Sequence, residues 1–234
     1  MLKRGGLGMG ESARTTIQRQ AVRLWWGLVR LGFRLLYNEL AWTYDAVSEI
    51  VSLGQWGDWQ RVALRHVGAP AGAPVLELAH GTGRLAVELR RAGYRLVALD
   101  RSPAMGRIAR RRLLRWGWRP ALVRADARAL PFGAGQFAAV IGTFPTEFIG
   151  DPVTLAEIHR ALQPGGRLVI VMGATLTARN AAARSLELAY RVTGQRGPWA
   201  ALLETRLKAE GFAPRLLTET LPRSVVWVCV AEKR

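Results

Sequence analysis

The chain has 234 residues, 34 Lys and Arg against 17 Asp and Glu, a net charge of +17, one cysteine and three histidines. That length suits one large domain, or one domain with an appendage, and buries enough surface to need no staples. A single cysteine, Cys229, excludes a disulfide framework and any CxxC metal site, and three scattered histidines (His66, His80, His159) argue against a metal centre. Lysine occurs only at positions 3, 208 and 233, so nearly all the positive charge is arginine. Such a balance favours an anionic partner (nucleic acid, a membrane surface or an acidic substrate) without choosing among them.

Residues 1–12 are glycine-rich and are expected to be disordered; the start has no apolar h-region and no cleavage-site pattern, which predicts a cytosolic protein. Residues 14–37, RTTIQRQAVRLWWGLVRLGFRLLY, read as a helix. Arg19, Arg23, Arg30 and Arg34 fall on one stripe, and Val22, Trp25, Trp26, Val29, Phe33 and Leu36 on the neighbouring face. An apolar arc this wide, with tryptophans and a basic edge, suits a membrane interface; the competing reading is a lid or a homodimer element. No uncharged run reaches the length of a spanning helix. Residues 13–55 are assigned to an N-terminal helical segment and 56–234 to the main domain, with Gly68, Pro70, Gly72 and Pro74 marking a linker.

From Pro74 the chain alternates. Strands are predicted at 74–79, 95–99, 120–124, 137–143, 167–172, 214–220 and 224–231, and helices near 83–92, 103–116, 152–162, 177–193 and 199–210. The pattern predicts an α/β, Rossmann-like, doubly wound sheet of seven mostly parallel strands with an antiparallel last strand, preceded by N-terminal helices.

Ligands of such a sheet sit at the carboxyl ends of its strands. There the sequence reads VLELAHGTG, and the next strand ends in Asp100, 23 residues after Glu77. Gly81 and Gly83 clear space for close backbone approach. A dinucleotide fingerprint would place G-x-G-x-x-G after the strand to hold a pyrophosphate. Glu77 sits there instead, and a carboxylate suits a cation. Asp100 is placed to accept hydrogen bonds from ribose hydroxyls. A nucleoside with a positive group and no required phosphate is the implied ligand, and S-adenosylmethionine fits.

VLELAHGTG, ALDRSPAM, RADARALPF, QFAAVIGTF and EIHRALQPGGRLVIV resemble the successive motifs of class I S-adenosylmethionine-dependent methyltransferases over about residues 56–234. Within that class the chain most resembles the ubiquinone/menaquinone biosynthesis C-methyltransferases (the methyltransferase type 11 group), whose upstream segment is matched by YDAVSEIVSLGQWGDW, 44–59. The resemblance implies that Glu77 stands near the methionine ammonium. It implies that Ala79, His80, Gly81, Thr82 and Gly83 wrap the methionine and sugar, and that Asp100 holds the ribose with Arg101 beside it. Met105 would pack against the adenine, Asp126 and Ala127 would contact its amino group and ring, and Thr143 and Phe144 would line the methyl-transfer side. His80 falls at a variable position, where a positional role is preferred to a catalytic base.

Transfer from a sulfonium needs alignment and desolvation first, and a base only if the acceptor must lose a proton. Glu147, His80, Tyr44 and Tyr37 are the candidates. One departure bears on the acceptor. Quinone-methylating relatives carry G-x-R-N after the fourth strand; this chain has PTEF, 145–148, with Glu147 for the arginine and Phe148 for the asparagine. Glu147 would suit a cationic or amine acceptor such as a phospholipid ethanolamine head group. The preferred expectation is a small or lipid-soluble acceptor such as a quinol-type ring, reached at the anionic inner membrane face through residues 14–37 and the basic run 107–119. An RNA methyltransferase using Trp116, Trp118 and nearby arginines is less favoured, since no NPPY-like base pocket follows the fourth strand. A scaffold that binds the cofactor without turnover is the remaining alternative.

Overall fold

The computed structural model describes residues 38–177 and 199–234, together with Gly27, Gly32 and Leu35. The expectations for residues 1–12, for the helix over 14–37, for Tyr37 and, past its first residue, for the helix over 177–193 lie outside the described residues.

A short 3-10 turn, Ala41–Thr43, leads into α1 (Tyr44–Ser52). Leu53 closes α1 in the left-handed conformation (φ 51°) and the chain turns into α2 (Trp56–Arg61). Seven strands follow: β1 (Pro74–Leu78), β2 (Arg95–Asp100), β3 (Leu122–Arg124), β4 (Phe137–Thr143), β5 (Leu162–Leu176), β6 (Phe212–Leu221) and β7 (Ser224–Lys233). Between them run α3 (Arg84–Arg91), α4 (Pro103–Arg115), α5 (Pro152–Ala161) and α6 (Trp199–Ala209).

The strand order is β3-β2-β1-β4-β5-β7-β6. β1 to β5 are mutually parallel, and β7 runs antiparallel to both β5 and β6. The sheet is therefore the expected mostly parallel one. The short connection between Leu221 and Ser224 pairs the last two strands, and β7 inserts between β5 and β6 and leaves β6 at the edge. Several strand boundaries differ from the sequence reading. β5 starts at Leu162 rather than 167, because Leu162 pairs with Phe137 before a register shift takes the strand through Gly165 and Gly166. β6 and β7 each extend past their apolar runs because the hairpin register holds Phe212 opposite Lys233 and Leu221 opposite Ser224.

Apolar strands with both faces covered bury side chains on both sides, which is why β1 and β4 read as continuous apolar runs rather than alternating ones. One layer is built from Trp59, Val62, Val75, Leu85, Leu89, Ile141 and Val169, and the other from Leu76, Leu78, Phe137, Leu155, Ile158, Ile170 and Leu207. Trp59 anchors α2 to the sheet. It is 1% exposed, and its indole N–H donates to the Ser224 hydroxyl at 2.8 Å. Two helices are set by sequence-local caps. The Ser102 hydroxyl accepts from the Met105 N–H at α4, and the Asp151 carboxylate accepts from the Val153 N–H at α5, each with a proline inside the first turn. These caps fix where β2 and β4 hand over to their helices, and so fix the carboxyl ends of the strands.

Candidate functional site

β1 delivers Glu77 and Leu78 to the carboxyl edge of the sheet, and the loop 79–83 turns back onto β2. Asp100 holds that loop. Its Oδ2 accepts from the Gly81 N–H at 2.9 Å, and its Oδ1 accepts from the Ser102 N–H at 2.8 Å. The His80 N–H donates to Leu99 O at 3.2 Å, and the Gly83 N–H donates to His80 O at 2.9 Å. Gly83 has φ 75°, and a Cβ there would lie 2.8 Å from the Ala109 Cβ on α4. Only glycine lets the loop lie this close to α4. Each Asp100 oxygen accepts one loop N–H and keeps capacity for a further donor, so the carboxylate can anchor the loop and still receive ribose hydroxyls.

Among the described residues, three non-glycine positions have positive φ: Leu53, Ala79 and Phe144. Two of them end β1 and β4. Backbone held in a sparsely populated region at strand ends marks a place where surrounding structure overrides local preference.

Glu77 is 2% exposed, and its Oε2 is buried without a hydrogen-bond partner among the described residues. Burial first, and the neighbouring Asp100 charge second, push its carboxyl well above the ordinary value of 4.5. A buried carboxylate with an unmet oxygen calls for a cation or a donor. The ammonium of S-adenosylmethionine supplies both, so the residues present fit the group. His80 is 4% exposed, and its Nδ1 lies 2.8 Å from the Gly81 carbonyl oxygen. That carbonyl accepts, so Nδ1 carries the proton. Burial holds the ring's pKa below the ordinary 6.5 against the opposing pull of Asp100. His80 is a neutral wall of a cleft of about 250 Å³ that also includes Asp100, Ser102, Gly106 and Val123. It lines this cleft on the same side of the loop as Asp100.

The upstream segment closes over the loop. Asp45 on α1 accepts from the Thr82 hydroxyl at 2.7 Å and pairs with Arg112 of α4. Arg112 in turn donates to both Thr82 O and Thr82 Oγ1, each at 2.9 Å. Glu49 pairs with Arg84 at the start of α3. Asp45 and Arg112 were not singled out from sequence. The signal was the YD pair in the upstream segment, whose partner 67 residues away only the fold reveals.

At the end of β4 an aromatic wall forms. The Phe144 ring stacks on Trp56 with centroids 4.3 Å apart and planes 27° apart, and Tyr44 meets Trp56 edge-on at 6.3 Å. The Phe144 N–H donates to Val171 O at 2.8 Å, which holds its unusual backbone. The Gln60 side-chain N–H donates to the Thr143 hydroxyl at 3.2 Å. Tyr44, Thr143 and Phe144 were expected at this end and are together there. Trp56 and Gln60 were not, although they are four apart on α2 and therefore share a face.

The remaining expected positions divide. Asp126 accepts from the Arg128 N–H and faces the exposed Arg101 at 3.5 Å, while Ala127 is buried. Met105 is fully buried against Ala41 and Ala104, beneath the upstream segment. Glu147 sits exposed on the 3-10 turn Glu147–Gly150, outside the aromatic wall. No group of three or more His, Cys, Asp or Glu among the described residues could hold a metal ion.

A seven-stranded sheet of this order, with an acidic residue, a glycine loop and a second acidic residue at adjacent strand ends, is the fold of class I S-adenosylmethionine-dependent methyltransferases. Residues 75–166 match the methyltransferase domain family. Over 58% of its length the chain is similar to demethylmenaquinone methyltransferases. It is 36% identical over 138 residues to that of Renibacterium salmoninarum, covering 58% of this chain and 56% of the relative. It is 38% identical over 139 residues to that of Thermus thermophilus, covering 58% and 63%. The chain thus spans less than two thirds of the length of these relatives. A solved geranyl diphosphate methyltransferase in complex with GPP and sinefungin shares the fold, with a TM-score of 0.60, 16% identity, and coverage of 76% of this chain and 77% of that one.

Proposed function

We propose that the chain is an S-adenosylmethionine-dependent methyltransferase acting on a quinol-type ring. The observation that carries this reading is the stacked Trp56–Phe144 pair with Tyr44 at its edge, standing at the end of β4 next to the Glu77–Asp100 loop. Flat aromatic faces recognise a flat aromatic acceptor by stacking and exclude water from it. S-adenosylmethionine, when bound, supplies a methyl group on a sulfonium that is already activated. The chain's own contribution is placement. Asp100 and the loop fix the nucleoside, Glu77 meets the ammonium, and the aromatic wall orients the ring carbon in line with the methyl group. The relatedness to demethylmenaquinone methyltransferases supports the same acceptor class. The exposed position of Glu147 leaves the amine-acceptor alternative without a carboxylate in the wall. Trp116 and Trp118, with Arg91 4.0 Å over the Trp116 ring, lie past the end of α4, beside the start of β3. That is the end of the sheet opposite the loop, so a basic aromatic patch there is remote from the chemistry.

The proposed setting is a peripheral one, at an anionic membrane surface. Exposed Trp42 (77%), Ala46 and Ile50 (69%) recur every four residues and give the segment leading into and through α1 an apolar outer stripe beside the aromatic wall. A stripe of this kind, together with the +17 charge and the basic apolar segment 14–37, suits an anionic interface. No helix among the described residues is long and apolar enough to cross a membrane. The test is incubation with labelled S-adenosylmethionine and reduced demethylmenaquinone in anionic vesicles. Methylated quinone in the lipid phase, with the protein sedimenting on anionic but not zwitterionic vesicles, is expected. Cofactor binding without any methylated naphthoquinone would overturn the acceptor, and equal sedimentation on both vesicle types would overturn the charge-dependent docking.

A further inference from the structure

Two indoles on α2 have opposite circumstances. The Trp59 N–H is paired with Ser224. Among the described residues the buried Trp56 Nε1 has no hydrogen-bond partner, and neither has the Gln60 Oε1 four residues on. Gln60 spends its other amide atom on Thr143, and Trp56 spends its ring face on Phe144, so both unmet atoms belong to side chains tied to the last residues of β4. Folding does not leave buried donors and acceptors unmet without cost, and such groups require an explanation. An orphan donor and an orphan acceptor on one helix face, beside an aromatic wall, are complementary to one chemical group that both donates and accepts.

We infer that Gln60 and Trp56 form the recognition pair for a hydroxyl on the aromatic acceptor. The hydroxyl donates to the Gln60 carbonyl oxygen, and its oxygen accepts from the Trp56 indole N–H. The Gln60 amide N–H donates to the Thr143 hydroxyl, which leaves the Gln60 carbonyl oxygen as the atom that accepts from the ligand hydroxyl. The pair selects hydroxylated rings against their ethers. An ether oxygen can accept from Trp56 but leaves Gln60 unmet, and buried polar groups left unpaired are what give such sites their discrimination. This inference rests on the assignment of the β4 end as the acceptor side.

The test uses the full chain saturated with S-adenosylhomocysteine and two stable probes, 1-naphthol and 1-methoxynaphthalene, titrated by calorimetry. The wild-type protein is expected to bind 1-naphthol at least roughly tenfold more tightly than the ether, the discrimination one lost hydrogen bond produces. Gln60→Met and Trp56→Phe keep side-chain bulk and stacking. Gln60→Met is expected to bring the affinity for 1-naphthol to within about threefold of that for the ether, whereas Trp56→Phe is expected to weaken both probes by about tenfold and keep the preference, with affinity for S-adenosylhomocysteine unchanged in both. In turnover with reduced demethylmenaquinone, both variants are expected to raise KM more than they lower kcat. Undiminished preference for 1-naphthol in Gln60→Met, or unchanged affinity for both probes in Trp56→Phe, overturns the pair, as does parallel loss of S-adenosylhomocysteine binding, which would assign the residues to structure. If the wild-type protein discriminates the probes but methylates no naphthoquinol, the acceptor proposal fails and the hydroxyl pair stands.

Discussion

The two halves of the site are built on opposite principles. On the β1–β2 side the loop is saturated with internal bonds: Asp100 takes two backbone N–H groups, Thr82 is shared between Asp45 and Arg112, and Gly83 is pressed against Ala109. On the β4 side the aromatic rings are closely stacked, yet Trp56 and Gln60 keep unmet polar atoms. A pocket for an invariant nucleoside gains by being rigid before the ligand arrives, because little ordering remains to oppose binding. A pocket that must tell one ring from another gains by leaving polar atoms whose partners only the right ring supplies. Glu77 belongs with the second group in chemistry and with the first in place, since its buried Oε2 is unmet on the loop side.

The comparison breaks most severely at Asp100. Asp100→Ala removes the acceptor for the Gly81 and Ser102 N–H groups, and for the proposed ribose, together. At about 1.5–3 kcal/mol per hydrogen bond to a charged group, the expected loss of S-adenosylmethionine affinity is roughly 100-fold or more, with the sheet intact by circular dichroism. Retained affinity in calorimetry would refute the ribose role.

Glu77→Gln has a smaller effect on binding, about tenfold, and a revealing effect on stability. A carboxyl whose folded-state pKa lies above its unfolded value binds more protons folded than unfolded. Its contribution is therefore complete below the ordinary value of 4.5 and is lost as pH rises through the elevated value. The unliganded Glu77→Gln variant should match the wild type at low pH and gain on it in Tm as pH rises above the ordinary value of 4.5. Cofactor binding to the wild type should release a proton, read as a dependence of the calorimetric enthalpy on buffer ionisation. An identical Tm difference at low and at high pH would remove the buried-carboxylate argument.

Asp45→Asn should be the mildest. The Asp45–Arg112 pair is roughly a quarter to a third exposed, so solvent screening limits it to about 1 kcal/mol. For a chain of this size that is a fall of about 2–4 °C in Tm, with a few-fold loss of cofactor affinity as Thr82 is released. If Tm falls while cofactor affinity does not, α1 is tethered to the loop without shaping it.

Much of the first half of the site was legible because it is local. Glu77, the 79–83 loop and Asp100 are separated by one helix, and their spacing alone places them at adjacent strand ends. Tyr44, Thr143 and Phe144 were legible through resemblance. Trp56, Gln60, Asp45 and Arg112 were not, since a tryptophan or glutamine on a short helix reads as packing until its partner is known. Glu147 illustrates the converse. Its position after β4 suggested an acceptor-facing carboxylate, and the 3-10 turn carries it to the surface.

By itself the sequence determined the alternation of strands and helices, the capped starts of α4 and α5, and the glycine that lets the loop meet α4. Backbone preference, capping and periodicity act between residues a few positions apart. Only the tertiary structure decided that β7 enters between β5 and β6, that Gln60 meets Thr143 across 83 residues, and that Glu77 is buried with an oxygen unmet. Pairing at long sequence separation and loss of solvent are set by packing of the whole domain, and they turn a strand-end carboxylate and a helix tryptophan into groups awaiting a ligand.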